Sequence, residues 1–217
     1  GKACPVIEFR AGWKLGGQPL IMRLADKKHS WDKDGLNMLL PNSLVQGLAG
    51  YIYHCPDMIG GGEYLSFSEN ADSLDQELIV RYTQAAALCP MMQFSAAPWR
   101  VLDEENFRIV KQAVKLHVQM GEYIHSLAVR SAQSGEPILR LMEYEFPGQG
   151  MERVTDQFML GDEILAAPVL EKGAVAREVK LPLGNWKDDR GELWQGGKTV
   201  SVKAPIDRLP WFTRMIN

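Results

Sequence analysis

The chain has 217 residues, 46% apolar and 24% charged, an ordinary balance for a globular protein of one large domain or two modest ones. Its formal charge of −3 gives no reason to expect nucleic acid or an anionic membrane as partner. No apolar run approaches the roughly 18 residues that cross a bilayer, and Cys4, Cys55 and Cys89 form no CxxC and cannot all pair, so no disulfide framework is indicated.

Residues 5–10, Pro-Val-Ile-Glu-Phe-Arg, read as a strand ending at Arg10, followed by a loop punctuated by Gly12, Gly16 and Gly17. A second strand over 19–25 carries the apolar run Pro19-Leu20-Ile21-Met22 and ends at Asp26, among basic residues and Trp31. A carboxylate just past a strand is placed as catalytic groups are in an α/β barrel. It is equally placed to cap a turn, and the local pattern leaves both readings open. Leu36, Leu39 and Leu40 fall at helical spacing, with Pro41 breaking that helix or starting a second through Leu44, Val45 and Leu48. A third strand runs from Gly50 to Asp57, with Pro56 at its end. Gly60-Gly61-Gly62 lacks the spacing and the immediate helix of a phosphate-binding loop.

Ser73-Leu74-Asp75-Gln76 reads as a capping box, with Ser73 as N-cap of a helix that stops before Pro90. Met91 to Ser95 form a short strand. Asp103 caps a single helix over about 104–133, with the stripe Phe107, Val110, Val114, Val118, Ile124 and Leu127. His117 lies near this stripe as a packed histidine. His54, Cys55 and Asp57 alternate faces of a strand, so no metal site is read there.

After Gly135 short runs alternate with turn signals, the pattern of a small antiparallel β-domain. Ala176–Leu181 and Thr199–Lys203 alternate cleanly. Gly196-Gly197-Lys198-Thr199 reads as a hairpin turn, since the phosphate-loop alternative needs a glycine where Glu192 stands. Strand–helix units up to residue 136 imply a parallel sheet. Four such units make half of a (β/α)8 barrel, with two raw sheet edges to cover.

Several stretches together resemble glycoside hydrolase family 31. They are Arg10-Ala11-Gly12, Arg23-Leu24-Ala25-Asp26, Pro56-Asp57-Met58-Ile59-Gly60-Gly61, Glu77-Leu78 with Arg81-Tyr82, Ala87 through Ser95, and Pro98-Trp99-Arg100. The β-domain adds Gly135 through Arg140, Asp156 through Gly161, Ala167-Pro168-Val169-Leu170 and Leu181 through Trp186. The order is kept over nearly the whole chain.

The resemblance implies an α/β fold: residues 1–136 as the C-terminal half of a (β/α)8 TIM barrel, and 137–217 as a small antiparallel β-sandwich domain. It implies a retaining α-glycosidase, with Asp26 as catalytic acid/base and no cofactor or metal. Retention needs two carboxylates about 5–5.5 Å apart, and an acid with a pKa raised by burial and by its negative partner. The family's nucleophile ends the strand before Arg10, so it is expected upstream of Gly1 and this chain alone is expected to be inactive.

Arg10, Arg23, Asp57 and Ser95 are the implied substrate-binding residues. Arg10 aligns with a family arginine that contacts the sugar; a rim salt bridge is its alternative. Asp57 aligns with the Asp of an Asp-Ile-Gly-Gly motif and is favoured as pocket-lining over structural. Two departures stand out. Arg23-Leu24-Ala25-Asp26 replaces Trp-x-Gly-Asp, and Gln93-Phe94-Ser95 replaces Arg-x-His on the last barrel strand. Losing an imidazole and a guanidinium changes which hydroxyls are held. The Gln-Phe-Ser form resembles the branch of the myogenesis-regulating glycosidase, which leans the substrate toward α-galactosides rather than α-glucosides or α-xylosides. The implied partners are a glycoside or oligosaccharide and, for the open sheet edges, the missing barrel half or a partner chain. A non-catalytic carbohydrate-binding fragment is the competing reading. The start Gly1-Lys2-Ala3 has no signal-peptide pattern, and the compartment stays open, with periplasmic, secreted or lumenal settings implied by the family.

Overall fold

The fold is that of a computed structural model describing residues 8–10, 20–69 and 73–215. The expected glycine-punctuated loop after Arg10 lies outside the described residues. In the first part β1 (Glu8–Phe9), β2 (Ile21–Arg23), α1 (Leu39–Leu48), β3 (His54–Cys55) and β4 (Met58–Ile59) are followed by α2 (Tyr64–Glu69) and α3 (Gln76–Ala87). Then come β5 (Gln93–Phe94), α4 (Pro98–Val101), α5 (Glu104–Gln119) and α6 (Gly121–Ser134). β1, β2 and β3 pair in parallel in that order, and β4 pairs in parallel with β5. Parallel neighbours need long crossovers; α1 lies in the one between β2 and β3, and α2 and α3 lie in the one between β4 and β5.

Several boundaries differ from the sequence expectation. The third strand does not end at Asp57. It pairs with β2 through β3 and, after Pro56-Asp57, with β5 through β4. Pro56 has no N–H for a ladder, so the break falls there and the strand exchanges one neighbour for the other. The N-cap of α3 is Asp75, whose carboxylate accepts from Leu78 N at 3.1 Å, rather than Ser73. Gln76, the expected capping-box partner, instead accepts from Asp103 N at 2.9 Å. The single helix over 104–133 is two, α5 and α6, meeting at Met120-Gly121, where glycine weakens helix continuity. Val118 of the expected stripe is exposed, while Ile109 and Ala113 are buried. Asp103 caps α5 as expected, accepting from Asn106 N at 2.8 Å, and Pro41 sits inside the first turn of α1, where its missing N–H costs little.

The second part holds β6 (Leu139–Arg140), α7 (Met142–Glu145), β7 (Phe158–Leu160), β8 (Ile164–Ala166), β9 (Ala176–Leu181) and β10 (Asn185–Asp188). It ends with β11 (Leu193–Gln195), β12 (Lys198–Lys203) and β13 (Trp211–Met215). A six-stranded antiparallel sheet runs β11-β10-β13-β8-β7-β6, and β9 and β12 form a separate ribbon. The sheet is covered on both sides. Phe158, Leu160, Ile164 and Ala166 pack with Leu40, Leu44, Ile124 and Leu127 of the helices and with Leu88 just past α3. Met159 and Leu165, on the opposite face, pack with Val179, Leu181, Val200 and Val202 of the ribbon. This is why β7 and β8 read as unbroken apolar runs.

Gly196-Gly197 is not a hairpin turn. β10–β11 and β9–β12 are two halves of one long hairpin whose turn lies at Asp189-Arg190-Gly191. Asn185 pairs with Gln195, and Leu181 pairs with Lys198. Three residues, 182–184, therefore oppose Gly196-Gly197, a bulge that bends the hairpin from sheet into ribbon. Gly197 has φ +82°, and a Cβ on Gly196 would lie 1.8 Å from the Pro182 carbonyl oxygen. Gly196→Ala is expected to cost about 1–3 kcal/mol or more, as overpacking against backbone does. An unchanged urea midpoint would show the bend to be adaptable.

One arginine fastens the two parts. Arg81 of α3 is 1% exposed. Its Nη1 donates to Gln84 Oε1 and to the carbonyls of Pro205 and Arg208, and its Nη2 to those of Ala174 and Ala204, at 2.9–3.3 Å.

Candidate active site

Asp26 lies three residues beyond β2, in an irregular stretch, and is a quarter exposed. Arg10 Nη2 donates to its Oδ2 at 2.5 Å, and Arg23 Nη1 to its Oδ1 at 2.5 Å. Both acceptor atoms are thus engaged by guanidinium groups, one exposed and one buried. Arg10 and Asp26, sixteen residues apart, meet because β1 and β2 are parallel neighbours.

Arg23 is the hub. The same Nη1 donates to Asp57 Oδ1 at 3.0 Å, and its Nε lies 3.6 Å from Glu8 Oε1. Burial works against its charge, but the hydrogen bond and proximity to Asp26, then Asp57, outweigh it and hold its pKa above the ordinary value. Asp57 has no exposed surface. Its Oδ2 accepts from Lys27 N at 2.6 Å and Gly62 N at 3.0 Å. The expectation of a pocket-lining Asp57 meets a carboxylate closed off from solvent, one that reaches Asp26 through Arg23.

Burial, the dominant influence, lifts the Asp57 pKa above the usual carboxylate value against backbone donors from Lys27, Met58 and Gly62 that lower it. The sign follows by linkage. A folded-state pKa above the unfolded value of about 4 contributes stability that is complete below that value. It is lost as pH rises through the folded pKa. The stability of the wild type relative to Asp57→Asn should therefore fall as pH is raised from about 4, read as the difference in urea midpoints. A difference that grows with pH would contradict this assignment.

Of the glycine triplet, Gly62 lies against this cluster. A Cβ on Gly62 would stand 2.6 Å from Asp57 Oδ1, 2.9 Å from Asp26 Oδ1 and 3.0 Å from Arg23 Nη1. Gly61 has φ +96°, with the Lys27 carbonyl oxygen 2.8 Å from where its Cβ would be. Gly62 lies backbone-first on the charged groups, and Gly61 on the backbone of Lys27 and Lys28. Ser95 Oγ donates to the Gly61 carbonyl at 2.6 Å, tying β5 to the same loop. Ser95 is partly exposed, so a hydroxyl lone pair can still accept from a ligand.

Three residues not picked out from sequence complete the surroundings. Glu8 accepts from Gln93 Nε2 at 2.5 Å and so links β1 to β5. Lys27 is buried and donates from Nζ to the Ala25 carbonyl at 2.7 Å; burial lowers its pKa. His29 is buried, with Nδ1 2.7 Å from the Gly60 carbonyl oxygen and Nε2 accepting from Asp75 N at 3.1 Å. This pairing fixes the tautomer with its proton on Nδ1. The alternation of Glu8 and Arg10 along one strand was the available signal for Glu8. His117 packs as expected, 3.0 Å from the Ala87 carbonyl oxygen, and burial lowers its pKa.

Residues 135–215 match the glycosyl hydrolase family 31 C-terminal domain. Over 214 residues, 95% of its length, the chain is 34% identical to the myogenesis-regulating glycosidase of Mus musculus. The chain belongs to glycosyl hydrolase family 31. Another family relative, α-glucosidase 2 of Bacillus thermoamyloliquefaciens, is 27% identical over 97% of the chain. Among solved structures, the cycloalternan-degrading enzyme from Trueperella pyogenes superposes with a TM-score of 0.86 over 98% of this chain and 31% of its own, at 23% identity, a likeness of fold. The chain spans 30% of the mouse relative and 26% of the Bacillus one.

Proposed function

We propose that this chain is the acid/base-bearing part of a retaining α-glycosidase that removes terminal α-linked sugars, α-galactosides in particular. On this reading residues 1–136 are the C-terminal half of a (β/α)8 barrel and 137–217 the β-sandwich beside it. The observation that carries it is a carboxylate just beyond the C-terminal end of a parallel strand, gripped by Arg10 and Arg23. Asp26 first gives a proton to the departing glycosidic oxygen and then takes one from the water that releases the sugar. Arg10, exposed beside it, can turn its fork of donors to sugar hydroxyls. Ser95 offers an acceptor, while Arg23 and Asp57 hold Asp26 in place. The attacking carboxylate comes from outside these 217 residues.

The substrate preference rests on Gln93-Phe94-Ser95. Gln93 is spent on Glu8, which leaves a short hydroxyl where the α-glucosidase pattern has an imidazole. An α-glucosidase or α-xylosidase reading is favoured instead by the relative named α-glucosidase 2. The full-length polypeptide should hydrolyse a 4-nitrophenyl α-galactoside with higher kcat/KM than the α-glucoside or α-xyloside, and proton NMR should show the α-anomer as first product. The 217-residue chain alone should turn over none of them. Preference for the glucoside would overturn the galactoside reading, first release of the β-anomer would overturn retention, and inactivity of the full-length polypeptide on all three would overturn the hydrolase.

A further inference from the structure

We propose that the cleft between the Trp31 loop and the β9–β12 ribbon binds a short stretch of oligosaccharide at a place separate from Asp26. The proposal rests on the glycosidase reading for its ligand class. The cleft has a volume of about 750 Å3, within the roughly 300–1,000 Å3 usual for small-molecule sites. Trp31, Asn37, Asp156, Arg177, Glu178 and Ser201 line it, and Asp26 does not.

Its walls are pinned by one carboxylate. Asp75 Oδ2 accepts from the Trp31 indole N–H at 2.9 Å and from Lys172 Nζ at 2.7 Å, and its Oδ1 is held by Leu78 N. Trp31 and Lys172 stand on opposite parts of the chain, so a single residue sets the separation of the walls. The indole is thereby fixed in orientation before any ligand arrives, half-buried against the apolar cluster that includes Leu36 and Leu39 and also lining the cleft. Such preorganisation saves ordering cost on binding. The floor is equally fixed. The Arg177 side chain is 9% exposed, its Nη2 is 2.9 Å from Asp156 Oδ2, and its Nη1 donates to the carbonyls of Asp156 and Pro168. Ser201 and Glu178 are paired across the ribbon.

This is the surface chemistry that recognises a sugar. A pyranose presents a patch of C–H groups that packs on an aromatic ring, surrounded by hydroxyls that both donate and accept. Carboxylates and an amide answer the hydroxyl protons, and Asn37 and Ser201 answer the oxygens. Asp156, Glu171 and Glu178 nearly balance Lys172 and Arg177, so the cleft selects neither a polyanion nor a polycation. Trp31 lies five residues past Asp26 in the same irregular stretch, while Asp26, held by Arg10 and Arg23, is not among the cleft's lining residues.

The test uses the full-length polypeptide carrying Asp26→Asn, so that the ligand is not consumed, labelled with 5-fluorotryptophan. The Trp31 fluorine signal is assigned with Trp31→Phe, and stachyose and maltotetraose are titrated in. A saturable shift of the Trp31 signal is expected with at least one of them. Glu178→Lys and Asn37→Ala should each weaken it tenfold or more without lowering the unfolding temperature. A Trp31 signal that stays still with both sugars, or a shift that survives both substitutions unweakened, overturns the proposal. The hydrolase reading is judged separately, by turnover of aryl glycosides by the wild type. Turnover without a Trp31 shift removes the cleft alone, and a shift without turnover removes the hydrolase alone.

Discussion

Replacing Asp26 by alanine in the full-length polypeptide should lower kcat/KM for an alkyl α-glycoside by about 10²–10⁴-fold, the usual worth of a positioned acid/base. The loss should depend on the leaving group. An alkoxide must be protonated as it departs, whereas a dinitrophenolate leaves without help, so glycosylation by the activated substrate should suffer far less. Asp26→Asn should behave alike, since an amide cannot deliver the proton although it can still accept from one of the two guanidinium groups. Steady-state kinetics on the two substrates decides the matter. A loss smaller than about tenfold and equal for both would mark Asp26 as one member of an exposed ion pair, whose energetic worth is ordinarily small.

Arg81→Met should destabilise the fold by about 3–5 kcal/mol, the range for removing a buried charged group hydrogen-bonded through both terminal nitrogens. For a chain of this size that is a fall in unfolding temperature on the order of 10 °C. The physical reason is the acceptor set. Four backbone carbonyls and the Gln84 amide converge on one guanidinium, and methionine fills the volume but satisfies none of them. Glu77 and Asp207 act on it only through longer-range attraction; burial outweighs both and lowers its pKa. Arg81→Lys should recover little, because three donors on one nitrogen cannot serve the five acceptors shared between two guanidinium nitrogens. Calorimetry or thermal circular dichroism reads the effect, and a change within about 1 kcal/mol would show that water replaces the arginine at little cost.

What could be read from sequence was local periodicity and local caps. The alternation of Ala176–Leu181 and Thr199–Lys203 gave the ribbon, and Asp103 gave the start of α5, because each signal lies within a few residues of its effect. Apart from the helix break at Met120-Gly121 and the strand break at Pro56, the failures are long-range. Asp75 displaced Ser73 as cap while also bonding Trp31 and Lys172, 44 and 97 residues away. Gly196-Gly197 carries the composition of a turn, but only the pairing of β9 with β12 shows it to be a bend. In the site, Asp26 with Arg10 was legible as charged groups at the ends of neighbouring strands. The closure of Asp57 was not, since its donors come from Arg23, Lys27 and Gly62 at once. Arg81 left one trace: a charge between Leu78 and Tyr82 on the buried face of α3, where an isolated cation has to find partners.

The sheet face built by Phe158, Leu160, Ile164 and Ala166 has a consequence for modularity. Its apolar side chains complete the interior of the helical part, so the last eighty or so residues are not an appendage that evolution or an engineer can exchange freely. A chimera joined near Gly135 would bring together two surfaces that never co-adapted, and a truncation there would leave both halves with a wet, unfilled side. Sequence change in β7 and β8 is therefore tied to change in α1 and α6, and a family member borrowing one has to borrow the other.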